Sequence, residues 1–314
     1  RHPEAKGKIQ GSVIVLRNRD AAILAEVGGR QIYQSRNLAY MDFNRAKHAR
    51  RQPGSAFKPI VYLTAFRKGF TLGDTAMDIP IYVSMGGGRP PHKIGNYDGK
   101  YKGVIPVRQA LAESRNAAAV WLTYRSGGIT EVIETAQLLG IRSKLEPYIT
   151  TSIGASVVNL TELANAFRAI ASGLQEQPHI IERVTNRDNE VLFSRKHEFK
   201  PLNIDSAALE EIQEGLRGNV RLPNGTAHSL DSRDFPIPIM GKTGTTNDFR
   251  DALFAGSTYG VDGITVVAWV GFDDNTSLQM SGARAALPIW SGFMQKVTGR
   301  PTAPFTFSKE IVQM

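Results

Sequence analysis

Apolar and polar positions alternate along the chain with a period that changes twice. Ser12 to Leu16 and Ala21 to Val27 are apolar and rich in β-branched residues, with the polar turn Arg17-Asn18-Arg19-Asp20 between them. That pattern predicts a hairpin, closed by Gly28-Gly29. Ser55 to Phe66, introduced by the breaker Pro53-Gly54, predicts a helix. Asp74 to Tyr101 is crowded with Gly and Pro and is expected to be surface loop. From Val107 to about Gly173 the apolar positions recur at helical spacing, most clearly at Leu160 to Ile170. Ile180 to Phe193 alternates around Arg187-Asp188-Asn189, a second hairpin, and Ser206 to Leu216 is helical again. Ile237 to Thr243, Ala252 to Ser257 and Ile264 to Phe272 predict three strands, and Leu287 to Val297 a closing helix. Strands at both ends around a helical middle predict an α+β fold, an antiparallel sheet with an inserted all-α region.

Composition narrows the class. With 314 residues, 41% of them hydrophobic, the chain can bury one large core or two modest ones. The first residue is Arg, so the chain reads as a processed product or a piece of something longer, and no run of 18 apolar residues suggests a membrane span or signal peptide. Without any cysteine, disulfides, thiol catalysis and zinc–thiolate sites are excluded. The net charge of +9 would suit nucleic acid or an anionic cell surface. No basic run interleaved with aromatics appears, so nucleic acid is not an expected partner.

Three short motifs carry the candidate chemistry. Ser55-Ala56-Phe57-Lys58 places an alcohol and an amine three positions apart, which on a helix share one face. Pro59 fits only in a helix's first turn, so the helix is expected to begin near Ser55, at the positive end of its dipole. Alone, this spacing is also that of a helix cap with a solvated lysine. Ser114-Arg115-Asn116 offers a second hydroxyl and an amide, but Ser35-Arg36-Asn37 repeats the tripeptide. The copy that follows the nucleophile is the useful one, and Ser35 is read as loop. Lys242-Thr243-Gly244-Thr245 stands at the end of the apolar run Ile237-Pro238-Ile239-Met240. It offers a cation, two hydroxyls for a substrate carboxylate, and a glycine that lets substrate approach the strand.

Together and in this order the motifs are the Ser-x-x-Lys, Ser-x-Asn, Lys-Thr-Gly signature of serine β-lactamases and penicillin-binding proteins. The resemblance extends over nearly the whole chain to the transpeptidase domain of bifunctional (class A) penicillin-binding proteins. It is carried by Asn44-Arg45-Ala46, Arg51 to Pro59, Asp78-Ile79-Pro80, Asn96-Tyr97-Asp98-Gly99, Gly241 to Asp248, Asp251-Ala252, Trp269-Val270-Gly271 and Ala286 to Trp290. It implies a five-stranded antiparallel sheet flanked by helices, in a transpeptidase domain over 1–300 whose inserted α-helical part covers about 70–175, with 301–314 a tail.

It also implies a peptidoglycan DD-transpeptidase. Ser55 would attack the D-Ala-D-Ala carbonyl of a stem peptide, with Lys58 as general base and Ser114 and Lys242 relaying the proton. Asn116 would bind the donor peptide, Thr243 and Thr245 its carboxylate against Gly244, and the backbone N–H groups of Ser55 and Thr245 would form the oxyanion hole. An amine of a neighbouring stem peptide would accept the acyl group; β-lactam antibiotics would acylate Ser55. No metal or other cofactor is implied. A glycosyltransferase domain and membrane anchor would precede Arg1 in the full-length protein, on the outer face of a bacterial cytoplasmic membrane. A serine β-lactamase, a DD-carboxypeptidase and a β-lactam sensor domain remain alternatives. The β-lactamase reading needs a carboxylate to activate water. Glu146-Pro147-Tyr148-Ile149-Thr150 has the glutamate but not the Leu and Asn of that enzyme's loop, and Glu162 is read as a solvated helix residue.

Overall fold

A computed structural model describes residues 9–30, 43–84, 90–233 and 238–297. Its centre is a sheet of five strands: β1 (Gln10–Arg17), β2 (Ile23–Val27), β3 (Ile239–Thr245), β4 (Asp251–Thr258) and β5 (Ile264–Gly271). Their order is β3-β4-β5-β1-β2, and every neighbouring pair is antiparallel. The N-terminal hairpin thus completes a sheet begun by the last three strands, and β3 forms one edge.

Both sheet faces are covered, which is why the strands read as near-continuous apolar runs. On one face Ile14, Leu16, Leu253, Ala255, Val267 and Trp269 join a core with α1 (Lys58–Arg67), α5 (Leu160–Ser172) and α6 (Ser206–Arg221). The alternate residues Val15, Ala252, Phe254, Val266 and Ala268 pack under α7 (Gly282–Val297), against Leu287, Trp290 and Met294. Trp290 meets Phe254 edge-on at 5.0 Å, and its ring N–H donates to the Val266 carbonyl.

Between α1 and α5 lie α2 (Val107–Ala112), α3 (Asn116–Arg125) and α4 (Ile129–Leu138). Asp74 to Tyr101 is not simply loop. Thr75–Asp78 pairs with Gly103–Pro106, and Ile81–Val83 with His92–Ile94. Strands of three or four residues among glycines and prolines leave no periodicity to detect. α7 also begins earlier than the periodicity predicts, because Pro288 lies inside the helix and not at its start. Ser35-Arg36-Asn37, Gly86 to Gly88 and the 301–314 tail lie outside the described residues. Among the described residues no helix is long and apolar enough to cross a membrane.

Candidate active site

A tight turn presents Ser55. Gly54–Phe57 is one turn of 3-10 helix that runs directly into α1, with Pro59 in the first turn of α1, where its missing N–H costs nothing. Glycines let three backbones meet here. Gly54 has φ +51°, and a Cβ on it would lie 2.5 Å from the Thr245 carbonyl oxygen. A Cβ on Gly154 would overlap the Gly54 carbonyl, and the Gly54 N–H donates to Gly154 O at 3.3 Å. The space a Gly244 side chain would fill holds the Pro53 carbonyl. In this structure, then, Gly244 admits the Ser55 turn against the end of β3.

Two amines here have no solvent exposure, Lys58 and Lys242, and they lie near enough for the charge of one to act on the other. Lys58 Nζ donates to the Ser114 hydroxyl at 3.1 Å and to its carbonyl at 2.5 Å. Among the described residues no hydrogen bond joins Lys58 to Ser55 Oγ, although the two are three positions apart. Burial holds the Lys58 amine well below its ordinary value, and the positive charges of Lys242 and then Arg115 push it the same way. Burial alone lowers Lys242 to about 7. A neutral amine beside a hydroxyl can accept a proton; an ordinary surface lysine cannot.

Ser114 occupies the junction of α2 and α3 with φ +60°, a left-handed conformation uncommon for a side-chain-bearing residue. The adjacent Arg115 holds it there. Arg115 is buried; its Nε donates to Asp78 and its Nη1 to Asp98, both at 2.8 Å. Asn96 donates to Asp78 at 2.6 Å and accepts from the Asn116 N–H at 2.7 Å. The Asn116 side-chain amide donates to Gly95 O at 2.7 Å. Asp78 and Asn96 were singled out in the sequence only as loop segments, and Arg115 only as the middle letter of a tripeptide. The structure joins all three in one network, through contacts that no local sequence pattern signals.

The far wall is the end of β3. Thr243 Oγ1 bonds Thr226 Oγ1 at 2.6 Å, and Thr226 is tied through Asn219 to the carbonyl that ends α2. Thr245 Oγ1 accepts from the Gly282 N–H at 2.9 Å, at the start of α7. Ser55, Lys58, Ser114, Asn116 and Lys242 to Thr245 therefore converge on one place, from a turn, a helix junction and a sheet edge. The groups that meet there are amines, hydroxyls and amides, a set suited to moving protons and gripping a peptide.

Comparison with known proteins identifies the family. The family model described as "Penicillin binding protein transpeptidase domain" matches residues 11–295. The penicillin-binding protein 1A of Aquifex aeolicus is 37% identical over 92% of this chain and 38% of its own length. The chain thus spans well under half of that relative. The crystal structure of penicillin-binding protein 1A from Haemophilus influenzae superposes with a TM-score of 0.83 at 25% identity, over 95% of this chain and 49% of that one. PonA1 of Mycobacterium tuberculosis, solved in complex with penicillin V, shares the fold with a TM-score of 0.76 at 21% identity, over 98% of this chain and 83% of that one. The chain belongs to the penicillin-binding protein transpeptidase family.

Proposed function

We propose that this transpeptidase domain is a peptidoglycan DD-transpeptidase with Ser55 as its nucleophile. One observation supports it above the rest: the solvent-free Lys58 amine, one turn along from Ser55, is bonded to Ser114 and held far below its ordinary protonation range. A donor stem peptide lies along β3, an edge strand of the sheet, as an added strand. Asn116 binds its backbone, and Thr243 and Thr245 exchange their internal partners for its carboxylate.

Ser55 Oγ then bonds to the penultimate D-Ala carbonyl carbon and gives its proton to Lys58. The backbone N–H groups of Ser55 and Thr245 hold the oxyanion. The C–N bond to the terminal D-Ala breaks, and the leaving amine takes its proton through Ser114 and Lys242. An amine of a second stem attacks the ester, the C–O bond breaks, and Ser55 recovers its proton as the cross-link forms. We place this unit at 1–300, its inserted part at about 70–175. In the full-length protein a glycosyltransferase domain and membrane anchor precede it, on the outer face of the cytoplasmic membrane.

Fluorescent penicillin tests this reading. The chain takes up one equivalent, intact mass and peptide mapping place it on Ser55, and Ser55→Ala remains folded but unlabelled. The adduct persists for many minutes. Glu146, the one carboxylate in a β-lactamase-like setting, is 47% exposed and pairs with Lys144 at 3.3 Å. Glu162 is not simply solvated; it accepts from the Ser143 hydroxyl at 2.6 Å. Neither is committed to activating water, so Glu146→Gln leaves the adduct's lifetime unchanged. Rapid multi-turnover hydrolysis lost in that variant makes the chain a β-lactamase instead.

A further inference from the structure

The hairpin Arg183–Thr185 and Val191–Ser194 has almost no core of its own. Every residue of both strands is exposed, including Val191, Leu192 and Phe193. A two-stranded hairpin of this kind is marginal in water unless its base is fixed. At that base three side chains from two segments converge. His179 Nε2 lies 2.9 Å from Glu182 Oε1, and His197 Nε2 lies 3.0 Å from Glu182 Oε2. All three ligand atoms fall within 4.8 Å of one another. The segment is also tied to the sheet: the Ile23 N–H of β2 donates to the His179 carbonyl at 2.7 Å. The Arg195 N–H closes the hairpin by donating to the Glu182 carbonyl at 2.9 Å.

The tautomer of His179 is set by its other nitrogen. Nδ1 lies 3.2 Å from the Gln177 carbonyl, which can only accept, so Nδ1 carries the proton. In the neutral ring Nε2 then presents a lone pair to Glu182, whose oxygen presents another. The positive centre that belongs between them is either a second ring proton or a metal ion. This is the arrangement of a metal-binding histidine, whose far N–H is held by a backbone carbonyl while the near nitrogen faces the ion. Arg17 also reaches Glu182, at 3.4 Å, but its nearer partner is Asp20 at 2.6 Å. Glu182 is thus the shared anion of the cluster.

We propose that His179, Glu182 and His197 bind one divalent ion of the zinc class, which clips the base of the 183–194 hairpin to the edge of the sheet. Two imidazoles and one carboxylate suit zinc, copper or nickel and not magnesium or calcium. A fourth position is left for water. The ligands leave the sheet near the Arg17 end of β1, whereas Ser55 packs against the Thr245 end of β3. In β1–β5 register Arg17 lies opposite Ile264 and Gln10 opposite Gly271, and Gly271 also faces Asp251 beside Thr245. The site is therefore at the other end of the sheet from the nucleophile, and its work is structural.

The test is to strip the chain with a chelator and titrate Zn²⁺ against a chromophoric competitor. One ion per chain is expected, with magnesium not competing. Glu182→Gln and His197→Ala each weaken binding by more than about tenfold, while His228→Ala does not. Glu182→Gln is half exposed and keeps the side chain's shape, so a folding failure does not obscure the answer. On wild-type chain, zinc slows amide exchange across 183–194, since an ion that binds only the ordered hairpin stabilises it by mass action. No stoichiometric zinc, equal affinity in both variants, or exchange unaltered by zinc overturns the proposal.

Discussion

At the residue scale the site turns on two buried lysines whose charges oppose each other. In the folded chain both lie below their unfolded values, so both bind fewer protons folded than unfolded. Their contribution to stability is therefore complete only above the unfolded value, roughly 10.4, and is lost as pH falls, for Lys242 through about 7. Lys242→Met removes one buried cation, so it raises the melting temperature at pH 7, and the gain shrinks as pH approaches 10. The same variant slows penicillin acylation by about a hundredfold, as loss of a positioned electrostatic group does. It also moves the acid limb of the acylation rate to higher pH, because the Lys242 charge is the largest influence after burial holding Lys58 down. Stopped-flow acylation across pH reads both effects. An acid limb that stays in place would mean that Lys58 is not the group that takes the proton.

At the element scale, the junction of α2 and α3 depends on partners far away in the chain. Asp78 has no solvent exposure, and Arg115 is its charged partner. Arg115→Ala strands that carboxylate, a change that costs on the order of 3–5 kcal/mol when a buried pair is broken. Thermal melting should register it. Acylation should slow as well, because Ser114 loses what holds its left-handed turn, while penicillin still maps to Ser55. Arg115→Lys does not restore the rate, since one ammonium cannot bridge Asp78, Asp98 and the Lys100 carbonyl as the planar fork does. A melting temperature and rate like wild type in Arg115→Ala would show the network to be incidental. This element also marks what sequence could not supply. Ser55, Lys58, Ser114 and Lys242 stood out as candidates because each sits in a short motif whose members are neighbours in the chain. The Arg115–Asp78 pair joins residues 37 apart, and nothing in local periodicity reports such a contact. The short strand pairs of 75–106 escaped for the opposite reason, being too brief to show a period at all.

At the scale of the whole molecule, the five strands could each be read from the sequence, but not where the first two insert. The order β3-β4-β5-β1-β2 puts β1 inside the sheet, between the last strand made and the edge strand β2. All eight residues of β1 pair with β5, from Gln10 opposite Gly271 to Arg17 opposite Ile264. Ile14 and Leu16 belong to the core under α5, and Val15 to the core under α7. Asn18, just past the strand, donates to the carbonyls of Thr258 and Gly260 and accepts from Thr265; its own carbonyl accepts from the buried Arg168. A chain cut to 43–314 keeps every motif residue, from Ser55 to Thr245. It nevertheless loses three buried aliphatic side chains worth about 1.5–3 kcal/mol each, and it exposes β5 as a long apolar edge. That loss is comparable with the roughly 5–15 kcal/mol that holds a domain together. The cut chain should therefore show no cooperative melting transition, should aggregate, and should take up no penicillin. Adding a peptide of residues 9–30 during refolding should recover labelling in part, since the missing strand has a defined slot and register. A soluble 43–314 chain with a sharp melt and wild-type labelling would mean that the motifs and the helical region fold without the strand, and that the sheet order does not govern the site.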